Sequence, residues 1–355
     1  MNLSDLGITK ELSEFLSDND LSGFSTGRVT QEHRDRYVVT TGDNEYDAEI
    51  TGNLRFSAQS RADFPAVGDW VTMVVYDEDK AIIHSVLPRK SVLERQAVGK
   101  FGEVQIISTN IDVALIIQSI NNRFSINRLE RYLTICYSAG IEPVVVISKI
   151  DLATGAEVQD TIDALERREK RVRFILLSNI TKSGLDQVAG IIEKGKTYCV
   201  IGPSGAGKST LINNLLKKNI LKTGPISQST NKGRHVTEHR ELFVLEKGGI
   251  IIDTPGMREL GVTENEDGLK TTFNDIFEIA RSCRFPDCRH TGETGCAVTE
   301  ALEKGEIDRD SFENFLKIQK EQERFQTTVA EKRKRDKIFG RMLKNYHRDM
   351  RKNDL

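Results

Sequence analysis

The sequence predicts an α/β protein in which a doubly wound central domain lies between a small all-β barrel and a helical module. Three observations carry this prediction. Short β-branched runs fill residues 24–103, near-continuous apolar strands alternate with helices over 104–270, and residues 271–355 hold a cysteine cluster followed by a charged helical end. At 355 residues the chain exceeds the usual size of a single core, so several domains are expected.

The composition, with 38% hydrophobic and 29% charged residues, is typical of a soluble globular protein. No apolar run approaches the roughly 20 residues that span a bilayer, and the first residues carry acids where a signal peptide is basic. We therefore expect a cytoplasmic protein with no membrane partner. The net charge is −2, but the chain is rich in Lys and Arg from Glu331 onward, which predicts a polyanionic partner.

Residues 1–23 have apolar positions at helical spacing and are predicted as a helical extension. The runs that follow, from GRVTQEHRDRYVVTTG to SVLERQ, are separated by Gly, Asp and Asn. This pattern predicts a small antiparallel barrel of about five strands over 24–103, although a β-rich domain of another topology fits it too.

The central region, residues 104–270, contains seven predicted strands with helices between most of them. Because the strands are apolar along almost their whole length, they predict a parallel sheet covered on both faces. The strands are VQIIST, DVALIIQS, PVVVIS, RFILLS, TYCVI, RELFVLE and GIIIDT.

The segment GPSGAGKS, Gly202 to Ser209, matches the phosphate-loop pattern GxxxxGK[ST] and lies between a strand and a helix. In such a loop backbone N–H groups cradle phosphates, Lys208 reaches the β- and γ-phosphates, and the Ser209 hydroxyl binds Mg²⁺. A Gly-rich turn without a ligand is the alternative. The strand and helix on either side favour a nucleoside triphosphate site.

Two further motifs fit a GTP site. Asp253 and Gly256, in DTPG, follow an apolar strand, where a carboxylate joins the Mg²⁺ shell and a backbone N–H senses the γ-phosphate. Asp151, in SKID, is suited to accept from the N1–H and 2-amino groups of guanine, with the stem of Lys149 against the base. Each motif alone also fits ordinary structure. Together with the phosphate loop they favour GTP over ATP.

The cluster Cys283, Cys288, His290 and Cys296 offers three thiolates and one imidazole within fourteen residues. This donor set suits a tetrahedral structural Zn²⁺ with no open position, and buried cysteines beside a surface histidine are the alternative. The remaining cysteines, at positions 136 and 199, lie in apolar surroundings and are predicted as core.

The order SKID, LLSNI, GPSGAGKST, GRHVTEHREL, DTPG and CRFPDCRHTGETGC resembles the circularly permuted small-ribosomal-subunit-dependent GTPase A family. GDWV and the short strands before it resemble the N-terminal OB-fold of that family. The resemblance covers roughly residues 24–330. It implies an OB-fold over 24–103, a permuted α/β P-loop GTPase domain over 104–270, and a zinc-binding module with a basic C-terminal helix over 271–355.

The resemblance also implies site residues. Thr237 would be the first-switch threonine, which holds Mg²⁺ together with Ser209 and Asp253, although a shift by one residue within GRHVTE stays open. The nucleotide contacts would be Ser148, Lys149, Asp151, Ser178, Gly202, Pro203, Ser204, Gly205, Ala206, Gly207, Lys208, Ser209, Thr210, Asp253 and Gly256.

Three positions depart from the family pattern: Ser148, Asn179 and Val236, which lies in GRHVTE where the family has GRHTTT. Val236 cannot act as a ligand, which leaves Thr237 as the better candidate. Ser148 stands in place of Asn, so its shorter side chain predicts weaker nucleotide affinity, while Asn179 in place of Ala is expected to matter little because the backbone reads the base. Met257 stands where many GTPases have the water-orienting Gln, which predicts slow hydrolysis unless a partner stimulates it. The candidates for catalysis are His235, Thr237 and Lys208, although His235 also fits a phosphate or RNA contact.

A run of basic residues around the first switch is ordinarily a solvated face, but beside an OB-fold, a zinc loop and a basic tail it favours an RNA surface. The run comprises Lys217, Lys218, Lys222, Lys232, Arg234, His235, His239 and Arg240.

The resemblance implies the small ribosomal subunit and its rRNA as partners, GTP and GDP with Mg²⁺, one structural Zn²⁺, and a monomer that acts in late subunit maturation and leaves after hydrolysis. A nucleotide-gated rRNA-binding protein with incidental hydrolysis and an ATP-dependent P-loop enzyme stay open as alternatives.

Overall fold

The computed structural model describes residues 1–33, 36–96, 103–121, 124–221, 240–254 and 266–353. The N-terminal extension contains the α-helix α1, Lys10–Asp18, where Thr9 accepts a hydrogen bond from the Leu12 N–H as the N-cap, and a short 3-10 helix, Leu21–Gly23. Leu6 and Leu12 pack against Trp70 and Leu87, so the extension covers one side of the barrel.

Five strands form a closed barrel in the order β1-β2-β3-β5-β4, and β4 pairs back with β1. Every pair is antiparallel except β3 with β5, which is parallel. This is the OB-like barrel that the resemblance implied, although the parallel pair departs from a fully antiparallel barrel. The elements are β1 Ser25–His33, β2 Arg36–Thr40, β3 Glu45–Ile50, the short helix α2 Gly52–Ser57, β4 Trp70–Asp77 and β5 Lys80–Val86.

Two predicted strands lie elsewhere than expected. SVLERQ forms β6, Val92–Gln96, and VQIIST forms β7, Val104–Thr109, and they pair with each other as a separate antiparallel ribbon. The assignments of SVLERQ to the barrel and of VQIIST to the parallel sheet were therefore wrong. The barrel has no free edge once β1 pairs with β4, and β8 already has neighbours on both sides.

The central sheet has the order β10-β9-β8-β11-β13-β12, parallel apart from β12. Every residue of β8, β11 and β13 is buried, which confirms a sheet covered on both faces. Its elements are β8 Val113–Ser119, α3 Ile126–Ser138, β9 Glu142–Ser148, α4 Gly155–Arg168, β10 Arg173–Leu177, α5 Leu185–Gly190, β11 Thr197–Ile201, α6 Lys208–Leu216, β12 Glu241–Val244 and β13 Ile250–Asp253.

The barrel and the central sheet are joined through β1. Gln31 of β1 pairs with Glu241 of β12, and its Nε2 donates to the Glu241 carboxylate at 2.8 Å. Arg28 is fully buried at the junction, donates from Nη2 to Thr197 Oγ1 at 2.9 Å and stacks on Trp70. Burial lowers the pKa of Arg28 to about 10, although Asp112 and Asp69 oppose the shift.

The C-terminal helices share an apolar core with α3. Phe312, Phe315 and Ile318 belong to the same buried cluster as Leu129 and Leu133. None of the described helices is both long enough and apolar enough to cross a bilayer. The helices are α7 Glu266–Thr272, α8 Asn274–Ala280, α9 Ala297–Lys304 and α10 Arg309–Asn353.

Candidate nucleotide and metal sites

The phosphate loop connects β11 to α6. Gly202 has φ +143°, and a Cβ at this position would lie 2.1 Å from the Ile117 carbonyl oxygen, so a side chain does not fit. Gly207 has φ +95° and caps the N-terminus of α6. Ser209 and Thr210 occupy the first turn, where backbone N–H groups have no intrahelical partner and can bind phosphate.

Lys208 is folded back over the loop. Its Nζ donates to the carbonyl oxygens of Gly202 at 2.9 Å and Pro203 at 3.0 Å. Burial lowers the pKa of Lys208, and the charge of Asp253 opposes this shift. Burial raises the pKa of Asp253 to about 6, with Lys208 opposing. A cation and a carboxylate therefore interact across the loop, as a site for phosphate with a divalent cation requires.

The strand ends bring the motifs together. Asp253 is in register with Val200 of β11, and Thr254 Oγ1 donates to the Val200 carbonyl at 2.7 Å. Ser148 of β9 is in register with Ser119 and with Leu177, the residue before Ser178. The base segment, the loop after β10 and the phosphate loop therefore all follow carboxyl ends of parallel strands at one edge of the sheet, where ligands of doubly wound sheets bind.

Ser148 is completely buried and ties the base segment to the phosphate loop. Its Oγ donates to the Ala206 carbonyl at 2.6 Å. Lys149 has φ +63°, an uncommon conformation for a residue with a side chain, and Asp151 is exposed in the turn that follows. Ser178 is buried, and its Oγ accepts from the Thr181 N–H at 3.1 Å. The shorter Ser148 side chain thus still reaches the phosphate loop.

Asn179 is a residue of this site that sequence reasoning undervalued. Its Nδ2 donates to the Gly207 carbonyl at 3.1 Å, and its Oδ1 accepts from Asn214 Nδ2 at 3.2 Å. The sequence offered one signal for this role of Asn179. Relative to the family pattern, the side chain at position 148 is shorter and the side chain at position 179 is longer. Their common proximity to the phosphate loop becomes visible only in the fold.

Several predicted site residues lie outside the part of the chain that the structure describes. They are His235, Thr237 and Gly256, together with Met257 and five of the basic first-switch residues, Lys222, Lys232, Arg234, His235 and His239.

The four predicted metal ligands converge, with all their ligand atoms within 4.8 Å of one another. His290 Nδ1 lies 3.6 Å from Cys283 Sγ and 3.5 Å from Cys296 Sγ, and the two sulfur atoms are 4.0 Å apart. A tetrahedral zinc with bonds of about 2.3 Å to sulfur and about 2.0 Å to nitrogen separates S and N by about 3.5 Å and S and S by about 3.8 Å. The cluster therefore fits zinc.

Backbone contacts prepare the cluster for a cation. Burial raises the pKa of Cys296, but hydrogen bonds from Thr299 and His290 outweigh it and lower that pKa to about 6. Glu293, which sequence reasoning missed, accepts from the N–H groups of Arg289 and Thr291 at 3.0 and 2.7 Å. These bonds fix the loop that carries His290.

Arg240 does not belong to an open basic surface. Its side chain is 15% exposed, and Nη1 donates to Glu32 at 3.3 Å and to the Ile106 carbonyl at 2.9 Å. Burial lowers the pKa of Arg240, with Glu32 opposing. Its assignment to an RNA surface was wrong, because it joins β12 to the barrel. Lys217 is exposed and pairs with Glu246 at 3.1 Å.

A sequence model of the RsgA GTPase family matches residues 86–263. The small ribosomal subunit biogenesis GTPase RsgA 2 of Lactiplantibacillus plantarum is 40% identical over 98% of this chain and 99% of its own. The chain belongs to the RsgA GTPase family. An RsgA 1 protein of Bacteroides thetaiotaomicron is 36% identical over 96% of both chains. As a member of the RsgA GTPase family, the chain is a GTP hydrolase.

Two solved structures share the fold of this chain. YjeQ from Thermotoga maritima aligns with a TM-score of 0.62 at 24% identity and covers 83% of this chain and 96% of its own. YloQ, described as a circularly permuted GTPase, aligns with a TM-score of 0.59 at 24% identity over 87% and 96%. The permuted order inferred from the motifs is thereby confirmed.

A model of ABC transporters also matches, over residues 185–343. That range contains the phosphate loop, which many nucleotide-binding proteins share. It begins after Asp151 and Ser178, so it excludes the segments that the sequence predicts to read guanine.

Proposed function

We propose that the chain binds GTP with Mg²⁺ at this sheet edge and acts on the small ribosomal subunit during its late maturation. The observation that carries the nucleotide part is the hydrogen bond from Ser148 to Ala206, which holds the base segment against the phosphate loop. The ribosomal part is supported by the names of both curated relatives, which are small ribosomal subunit biogenesis GTPases.

In this proposal Asp151 accepts from the N1–H and 2-amino groups of guanine, which adenine lacks. The stem of Lys149 packs on the base, and the backbone N–H groups after Ser178 meet guanine O6. The N–H groups of the loop from Gly202 to Thr210 bind the phosphates, with Pro203, Ser204, Gly205, Ala206 and Gly207 between its ends. Lys208 leaves its carbonyl contacts to bind the β- and γ-phosphate oxygens.

The residues at the strand and helix ends fit Mg²⁺. Asp253 supplies a carboxylate from the end of β13, and Ser209 supplies a hydroxyl from the start of α6. With Thr237 they would hold the ion, which neutralises charge on the phosphate oxygens. Gly256 would sense the γ-phosphate through its N–H, and His235 would position the attacking water.

The Cys283, Cys288, His290 and Cys296 cluster would hold one zinc ion. Four protein ligands leave no open position, so its role is structural. It would hold the loop between α8 and α9 and so present this module to a partner.

We further propose a cycle in the cytoplasm in which the monomer binds the subunit with GTP, hydrolyses slowly alone and faster on the subunit, and leaves with GDP. Contacts to rRNA would come from the barrel, the zinc module and the basic end of α10. The alternative, in which nucleotide state sets rRNA affinity and hydrolysis is incidental, predicts normal release without turnover.

The test is GTP hydrolysis with and without purified small subunits at two salt concentrations. Stimulation that weakens at high salt supports the proposal, since phosphate contacts are salt-sensitive. An equal rate with and without subunits contradicts it. Competition of unlabelled GTP against ATP decides between guanine and adenine specificity.

Two variants separate the alternatives. If a His235→Ala variant hydrolyses GTP on the subunit at the same rate as the parent, His235 takes no part in catalysis. A Ser209→Ala variant that cannot hydrolyse GTP should stay on the subunit, and its normal release would favour incidental hydrolysis.

A further inference from the structure

The loop after β10 contacts the phosphate loop at a point separate from Ser148. Asn179 Nδ2 donates to the Gly207 carbonyl at 3.1 Å, and Ser148 Oγ donates to the carbonyl of the preceding residue, Ala206. Two side chains from different strand ends therefore hold consecutive carbonyls of the phosphate loop.

The orientation of the Asn179 amide is determined by its partner. Asn214 of α6 donates from Nδ2 to the Asn179 backbone carbonyl and to Asn179 Oδ1, both at 3.2 Å. Because Oδ1 accepts from Asn214, the amide must direct its Nδ2 donor at Gly207. Both polar ends of the Asn179 side chain are thus engaged.

Gly207 makes room for this contact. A Cβ at Gly207 would lie 2.9 Å from Asn179 Nδ2, closer than real Cβ atoms approach other atoms. The same glycine caps α6 with φ +95°. The loop conformation and the position of Asn179 therefore depend on each other.

We infer that Asn179 and Asn214 are a positioning pair that ties the loop after β10 to the phosphate loop, beside the bond by which Ser148 ties the base segment to it. Ser148 has a single hydroxyl donor, which Ala206 occupies, so a second bond must come from another residue. This inference rests on the proposed nucleotide site. The pair sets how long guanine nucleotides stay bound, because it keeps the loop after β10, whose backbone is proposed to meet guanine O6, at its distance from the phosphate loop.

The pair acts on GTP and GDP alike, since both carry guanine and a β-phosphate. The hydrogen bonds described for the pair go to Gly207 and within the pair, not to Asp253, so the cleavage of bound GTP should be unaffected. Removing it should therefore accelerate nucleotide release and raise KM while single-turnover hydrolysis stays within about twofold of the parent. If the pair had a purely structural role, removing it would lower the stability of the fold and would not accelerate nucleotide release while leaving single-turnover hydrolysis unchanged.

The experiment measures release of fluorescent GDP and GTP by stopped flow from the full-length chain. For Asn179→Ala we expect nucleotide release to be about tenfold faster, because the variant loses about one buried hydrogen bond. Asn214→Ala should accelerate it about threefold, and the double variant should match Asn179→Ala because the two residues act as one unit. The matched control is Asn19→Ala, which removes the hydrogen bond that the Asn19 side-chain amide donates to the Phe15 carbonyl at the end of α1.

Asp151→Ala separates failure of the inference from failure of the site. If Asp151→Ala accelerates release and Asn179→Ala does not, the positioning pair is refuted and the site stands. If neither changes release, the proposed site itself fails. The thermal unfolding of each variant is also measured without nucleotide. If nucleotide release is faster only at temperatures at which the variant has begun to unfold, the inference is refuted as well.

Discussion

Glu130 of α3 accepts a hydrogen bond from Asn314 of α10, and this buried contact joins the central sheet to the C-terminal helix. Arg168 of α4 donates to the two oxygens of the same carboxylate, from Nε at 2.9 Å and from Nη2 at 2.7 Å. Ser311 donates to it as well. One carboxylate therefore holds three helices together, and burial raises its pKa while Arg168 opposes the shift.

Glu130→Gln should lower the free energy of unfolding by about 3–5 kcal/mol, because it leaves the largely buried Arg168 with only the exposed carboxylate of Asp308, at 3.8 Å. Urea denaturation measures this change. Glu278→Gln is the control, since its pair with Arg281 is exposed and worth less than about 1 kcal/mol. Equal losses in the two variants would contradict the assignment of the buried network.

Gly268→Ala should destabilise the contact between α7 and α3. A Cβ at Gly268 would lie 2.1 Å from both the Ser138 Oγ and the Thr134 carbonyl oxygen, so the helices would have to separate. We expect a loss of about 1–3 kcal/mol in denaturant unfolding. Gly155→Ala is the matched helical control, because nothing lies near its Cβ, and it should be neutral or stabilising. The prediction fails if both variants are equally stable.

Stability should fall as pH rises because of Glu169. Burial, and then the charge of Glu130, raise the pKa of Glu169 to about 8 from 4.5. Between these values the folded chain holds a proton that the unfolded chain has released, so each step up in pH favours unfolding until about pH 8.

Glu169→Gln removes this titration. The difference between the thermal midpoint of the variant and that of the parent should therefore shift by several degrees in favour of the variant as the pH rises from 5 to 8. Glu300→Gln, at an exposed residue paired with Lys304, is the control and should not show that trend. A constant difference between Glu169→Gln and parent across the range would count against the prediction.

Zinc should be present at one ion per chain and lost on substitution of a ligand. Cys288→Ser should reduce bound zinc to well below one and expose the loop between α8 and α9 to proteolysis, because the four ligands join the two ends of this loop. Metal analysis and limited digestion measure the two effects. Ser282→Ala, next to Cys283, should retain the metal, and zinc retained in Cys288→Ser would exclude this ligand.

Lys208→Ala should weaken GTP binding about 100-fold, because a phosphate loses a charge-assisted hydrogen bond in a half-buried site. Fluorescence titration measures the affinity. Lys217→Ala removes an exposed cation at the other end of α6 and should leave affinity within about twofold. A similar effect of both substitutions would show that general charge, not the position of Lys208, binds the nucleotide.

Much of the fold could be predicted because its signals are local. Gly202 and Gly207 mark a loop that only their backbone conformations allow, and apolar strands such as Val113–Ser119 mark a sheet covered on both faces. The sequence predicted less well which strands pair with each other. The β-branched pattern of SVLERQ and VQIIST indicates strands correctly but does not say which strand lies beside them.

The sequence by itself determined the order of the base, phosphate and metal segments and the chemistry of each, since these depend on residue types at short spacing. Only the tertiary structure decided that Asn179 reaches Gly207, that Arg240 is committed to Glu32, and that α10 meets Glu130. These contacts join residues from 28 to 208 positions apart. Spacing along a chain specifies backbone conformation, whereas contacts over such distances depend on how all the elements pack at once.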